Sequence, residues 1–131
     1  VFTEMTILKY LDIETLRNYC ISKKGVTEGL PFGPDTLVFK VMGKMFALAG
    51  LDAIPLSVNL KCDPEEAIRL REEYENNILP GYHMNKQHWN TVILDGHLKP
   101  DFIFQLVDDS YNLVEAGLTK KQQQELKDLD E

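Results

Sequence analysis

Apolar residues recur along this chain at two different spacings, and the changes of period mark its elements. Ile13, Leu16, Tyr19 and Cys20 lie on one helical stripe, with Asp12 placed as N-cap and Gly25 as the expected stop. Leu11, just before the cap, is positioned to staple onto Leu16. Gly29, Pro31, Gly33 and Pro34 then predict a loop. From Thr36 the period falls to two. Thr36–Val41 and Lys44–Ala49 read as strands of a hairpin turned at Met42-Gly43, where Gly43 supplies a positive φ. Leu56–Lys61 alternates strictly, Leu56, Val58 and Leu60 against Ser57, Asn59 and Lys61. Asp63-Pro64-Glu65-Glu66 combines a cap, a first-turn proline and an acid at the third position, so a helix starts there with Ala67, Leu70 and Tyr74 inward. Trp89–Leu94 predicts another strand, ended by an Asp95-Gly96 turn. Pro100 opens a longer helix with Phe102, Ile103, Leu106, Val107, Leu113 and Val114 inward as far as Gly117, and Thr119 caps a short last one.

The expected fold is α+β: two layers, an antiparallel sheet with helices on one face, in the order α-β-β-β-α-β-β-α. One domain is expected over residues 12–126, with an N-terminal extension over 1–11 and a frayed tail over 127–131. A two-residue turn at Met42-Gly43 sets Phe39 opposite Phe46 and Leu37 opposite Leu48 on the helix-covered face. It sets Lys40 opposite Met45, Val38 opposite Ala47 and Thr36 opposite Ala49 on the other. Ser57, Asn59 and Lys61 would join that second face, a mixture of small, polar and basic residues that helices leave open. An open face of this kind suits a flat ligand or a partner, and many proteins leave one simply wet.

Composition narrows the function. At 131 residues the length suits one domain. No apolar run is long enough to span a bilayer, and no secretory leader opens the chain. Cys20 and Cys62 are far apart and lack metal-ligand spacing, which predicts reduced thiols and a cytoplasmic protein, with Cys20 buried. A net charge of −7 argues against coating nucleic acid by bulk attraction. The charge is uneven, though: residues 36–62 and 78–99 hold Lys40, Lys44, Lys61, Lys86 and Lys99 against Asp52 and Asp95. These mildly basic segments are mostly predicted strands.

The densest chemistry lies in Pro80–Asn90, which holds His83, His88, the single tryptophan Trp89, and Tyr82, Asn85, Lys86 and Asn90. No His pair stands four apart on a helix, no thiolate is near, and neither a nucleophile elbow nor a phosphate loop is present, so neither metal, cofactor nor catalysis is expected. A structural reading is equally open. His83 and His88 would then bond turn carbonyls, Asn85 and Asn90 would satisfy turn backbone, and Trp89 would lock the crossover into the last strand.

Thr36–Ala49 (TLVFKVMGKMFALA), Asn59-Leu60-Lys61-Cys62-Asp63-Pro64, Pro80–Val92 (PGYHMNKQHWNTV), Leu94-Asp95-Gly96 and Asp109-Ser110-Tyr111 resemble the MmcQ/YjbR family of small bacterial proteins. The resemblance runs from Asp12 to about Leu126, and the stretch before Asp12 is longer than the usual family start. It implies a compact domain akin to secretion-chaperone and CyaY-like shapes, a DNA-binding label drawn by analogy to a double-wing domain, and no catalytic residues. Weak DNA binding would use Lys40, Lys44, Lys61 and Lys86 on phosphates. Asn59, His83, Asn85, His88 and Asn90 would supply hydrogen bonds, and Tyr82 or Trp89 a stacking surface. Arginine is scarce, with Arg17, Arg69 and Arg71 all on predicted helices away from the motif. The alternative is a chaperone-like protein-interaction module whose open sheet accepts a partner segment. No membrane role is expected, and the oligomeric state is not legible.

Overall fold

The computed structural model describes residues 11–82 and 84–129. Helix α1 (Ile13–Ile21) starts as its pattern predicts, with the Asp12 carboxylate accepting the Thr15 N–H at 2.7 Å. It ends at Ile21 with Ser22 as C-cap, short of Gly25, because the chain turns directly into a strand. That strand, β1 (Val26–Gly29), lies between the expected helix stop at Gly25 and the expected loop, sharing only Gly29 with the loop. Its four residues show no apolar alternation, and its place comes from pairing with β2 (Thr36–Val41). β3 (Lys44–Gly50) and β4 (Ser57–Lys61) follow, then α2 (Pro64–Glu73), β5 (Ile78–Pro80), β6 (Trp89–Ile93), α3 (Pro100–Ala116) and α4 (Lys120–Asp128). Among the described residues the six strands form one antiparallel sheet in the order β1-β2-β3-β4-β6-β5. The architecture is α+β, as expected.

The hairpin turn is tighter than the glycine alone suggests. Met42 and Gly43 both carry positive φ, 49° and 85°, the pairing that matches the right-handed twist of flanking strands. Lys40 stands opposite Met45, as the turn dictates, but the register then slips. Phe39 faces Ala47, Val38 faces Leu48, Leu37 faces Ala49 and Thr36 faces Gly50, so Phe46 is the extra residue of a β-bulge. The slip keeps Phe39 and Phe46 in the helix-side core and moves every later β3 residue to the other face. Ala47 and Ala49 join the helices, and Leu48 leaves them. Leu37 is only half-buried, packed against the core's edge.

Ser110 on α3 is what makes the bulge affordable. It is wholly buried, donates to the Phe46 carbonyl at 2.5 Å and accepts the Lys61 N–H at 2.8 Å. One hydroxyl thus satisfies a donor and an acceptor of the disturbed ladder and ties α3 to β3 and β4. Phe46 also packs edge-on against Tyr111, ring centroids 5.4 Å apart. The rest of α3 follows its stripe except Leu113, expected inward and 39% exposed.

The other helix ends follow their signals. Asp63 accepts from Glu65 and Glu66 N–H at 3.2 and 3.4 Å, and Thr119 with Gln122 forms a reciprocal capping box. α1 is held to α3 by Tyr19, whose hydroxyl donates to Asp108 at 2.6 Å and whose ring stacks on Phe104 at 4.1 Å. Cys20 and Cys62 are free thiols. Burial pushes Cys20 up to about 12; burial, then the nearby carboxylates of Glu66, Asp109 and Asp63, push Cys62 up to about 11. No helix among the described residues is long and apolar enough to cross a membrane.

Candidate binding groove on the open sheet face

The face away from the helices is not the polar platform that the alternation suggests. Because of the bulge, Val38 and Leu48 lie side by side there and pack with Trp89 into a second buried cluster, with Met45 and Met84 against it. Pairing fixes a transverse row across the sheet: Val38, Leu48, Asn59, Thr91 and Leu79. The row begins apolar and ends with two hydrogen-bonding side chains beside an exposed edge leucine.

Loops raise walls around this floor. Phe32, on the β1–β2 loop, is 65% exposed, and Tyr82, on the β5–β6 loop, is 71% exposed. Between them runs a groove of about 700 Å³, floored by Leu48, Met45, Asn59 and Thr91. That volume lies within the range of sites that take a drug-sized ligand or a few residues of a peptide. Among the described residues, Asp52 is the one carboxylate or ammonium group lining it. Methionine on such a surface adapts its shape to whatever it meets.

The Pro80–Asn90 motif builds one wall of the groove. Gly81 N–H bonds the Trp89 carbonyl at 2.9 Å, and a Cβ on Gly81 would stand 2.8 Å from the Trp89 Cβ, so only glycine lets the loop close this tightly. Asn85 accepts the Gln87 N–H at 2.9 Å through its side chain, and its carbonyl takes the His88 and Trp89 N–H groups. Asn85 therefore braces turn backbone as expected. Asn90 does not: it is buried, and its side-chain Oδ1 accepts from Arg71 Nε at 2.6 Å. Arg71 also donates to the carbonyls of Lys86 and Trp89. So Arg71, expected to lie away from the motif, is the clamp that holds it to α2. The helical stripe could not reveal that, because the contact spans 19 residues of sequence and depends on how α2 lies over the sheet.

The remaining predicted residues scatter. Lys40 is half-buried and lines a shallow depression beside β1, Lys44 is exposed at the hairpin tip, and Lys61 sits half-buried opposite Trp89. Lys86 is exposed, and His88 is half-buried with its carbonyl accepting the Cys62 N–H at 2.7 Å. His83 lies outside the described residues. Trp89, at 9% exposure, is packed under the face and presents no ring for stacking. Lys40 and Lys61 share the open face with the groove, yet neither lines it. Asn59 and Tyr82 do. Phe32, Met45, Leu48, Met84 and Thr91 went unpredicted as site residues; exposed Phe32 beside Gly33-Pro34 was the one readable signal. Among the described residues, no three His, Cys, Asp or Glu side chains stand close enough to share a metal ion.

The YjbR family model matches residues 21–113. The chain is 37% identical over 115 residues to the uncharacterised protein YbdF of Escherichia coli O157:H7, covering 87% of this chain and 93% of that one. It is 36% identical to the uncharacterised YjbR of Escherichia coli K12 over 77% of this chain and 85% of that one. Among solved structures, the Deinococcus radiodurans protein DR2400, a DUF419 domain, superposes with a TM-score of 0.84 at 40% identity, covering 91% and 90% of the two chains. A Pseudomonas syringae protein gives 0.65 at 29% identity, over 79% of this chain and 98% of that one.

Proposed function

The chain belongs to the YjbR family, and on that premise we propose that it is a non-catalytic binding module whose open-face groove docks an apolar segment of a partner protein. The carrying observation is the groove itself: a floor of apolar, methionine-containing surface beside Asn59 and Thr91, between two exposed aromatic walls, on a sheet face that no described helix covers. Its charge points to the kind of segment. With Asp52 in the lining and a net charge of −7, a neutral or basic segment is favoured over an anionic one.

Weak DNA binding is the second reading, and one observation favours it. Lys40 and Lys61 stand on the same face as the exposed Tyr82, a pairing of cations with a stacking ring. It ranks lower because, among the described residues, no lysine lines the groove and an aspartate does.

Fluorescence anisotropy separates the two. A labelled lysine-flanked apolar peptide should bind and keep most of its affinity as salt rises, whereas a single-stranded oligonucleotide should bind barely or not at all. Phe32→Ser and Tyr82→Ser should each weaken the peptide about tenfold, as expected for losing an aromatic anchor. If instead the oligonucleotide binds, with log K falling against log salt at a slope on the order of −3, and Lys61→Ala with Lys86→Ala flattens it, the DNA reading replaces this one.

A further inference from the structure

The groove floor carries a hydrogen-bond chain whose direction can be worked out. The backbone N–H of Tyr82 donates to Thr91 Oγ1 at 3.0 Å. Thr91 Oγ1 lies 2.5 Å from the side-chain oxygen position of Asn59, its partner across β4 and β6. So short a separation suits O–H···O geometry and is too close for an amide N–H donating to the hydroxyl. The Tyr82 N–H can only donate, so the Thr91 hydroxyl accepts there and spends its own hydrogen on Asn59 Oδ1. Asn59 is thereby locked with its oxygen used and its NH₂ group left over. That NH₂ makes no hydrogen bond to any described residue, and Asn59 lines the groove beside Leu48.

We infer that Asn59 is the specificity-determining residue of the groove, and that its fixed amide NH₂ donates to a carbonyl of the docked apolar segment. The inference rests on the groove being a docking site and adds what the occupant must present: a flat acceptor flanked by apolar groups, as in an extended peptide. The chemistry follows from the floor's composition. Leu48 and Met45 reward apolar contact, while an amide donor covered by a ligand without an acceptor would lose its water and gain nothing. An ammonium or guanidinium at this point would face the NH₂ with like polarity. Asp52, elsewhere in the lining, is the place for a cation.

Two isosteric probes isolate the acceptor. Acetophenone and α-methylstyrene differ only in a carbonyl oxygen against a methylene. Titrated into the ¹⁵N-labelled protein, both should shift the backbone amides of Met45, Leu48 and Thr91. Acetophenone should bind on the order of fivefold tighter, the ratio one net hydrogen bond supplies, and it alone should move the Asn59 side-chain NH₂ signal strongly. Asn59→Leu should abolish the preference while still binding α-methylstyrene. Thr91→Val, which cuts the chain and frees the amide to turn, should also erode the preference, and Thr91→Ser should keep it. Equal affinity of the two probes in the native protein, or a preference that survives Asn59→Leu, would overturn the assignment of Asn59 and leave the groove reading standing. If neither probe shifts any groove resonance, the groove reading falls and this inference falls with it.

Discussion

The two faces of this sheet are made of alternate residues of the same strands, yet they are built for different ends. On the helix side, Phe39, Phe46, Val58, Leu60 and Val92 are sealed by α1, α2 and α3, and small alanines at 47 and 49 leave room beside them. The bulge there, at Phe46, has its backbone groups satisfied by a buried serine. On the open side, Val38, Leu48 and Trp89 are equally apolar but, among the described residues, are covered only by two methionines and a loop, beside a donor that nothing described satisfies. The helix-side face is sealed except for the Asn90 amide nitrogen, buried without a described hydrogen-bond partner, whereas the Asn59 amide on the open face stands in an accessible groove. An unpartnered amide occurs on both faces, and what sets the open one apart is that its amide stands beside an apolar floor that no described helix covers.

The contrast can be broken most directly by truncating one large side chain on each face. Phe46→Ala should cost about 3–5 kcal/mol, since the void it leaves is walled by helix and sheet. Leu48→Ala should cost nearer 2 kcal/mol, the low end for a leucine, because its site opens onto the groove and water fills the loss. Urea midpoints of the two variants measure the difference, and equal costs would show that the open face is packed as tightly as the core.

Thiol chemistry sharpens the same comparison. With its pKa pushed to about 11 from an ordinary 9.0, Cys62 should carry roughly a hundredfold less thiolate at pH 8 than a free cysteine and alkylate correspondingly slowly with iodoacetamide. Cys20, fully buried at about 12, should react only on unfolding. Both shifts raise an acid's pKa, so the unfolded chain loses these protons first. Their contribution is therefore intact below about pH 9 and falls as pH rises past it. Mass spectrometry after timed alkylation at pH 8 and pH 10 reads both effects.

Ser110→Ala should cost about 1–3 kcal/mol, the penalty of leaving the buried Phe46 carbonyl and the part-buried Lys61 N–H without their partner. It should leave peptide binding in the groove unchanged if the bulge holds its register, which the amide spectrum of β3 would show. The smallest effect is expected at Asp63→Ala, about 1 kcal/mol for losing an exposed N-cap; an unmoved denaturation midpoint would show that water serves the α2 start as well as the carboxylate does.

Much of this molecule was legible in one dimension. The caps at Asp12, Asp63 and Thr119, the turn at Met42-Gly43, the strict alternation of β4 and the stripe of α3 are local signals, each set by residues within one or two turns of chain. Those interactions exist in any conformation that brings neighbours together, so the residue order alone determines them, and with them the α+β layering. β1 stayed hidden because its four residues acquire strand conformation only by pairing with β2. Leu48's face, the clamp by Arg71 and the groove were decided elsewhere still. The bulge depends on a serine 64 residues further on, the clamp on how α2 crosses the sheet, and the groove on two loops meeting over a face whose parity the bulge had already reversed. Register has a period of two, so a single inserted residue exchanges the faces of everything beyond it, and only contacts distant in sequence can stabilise that insertion.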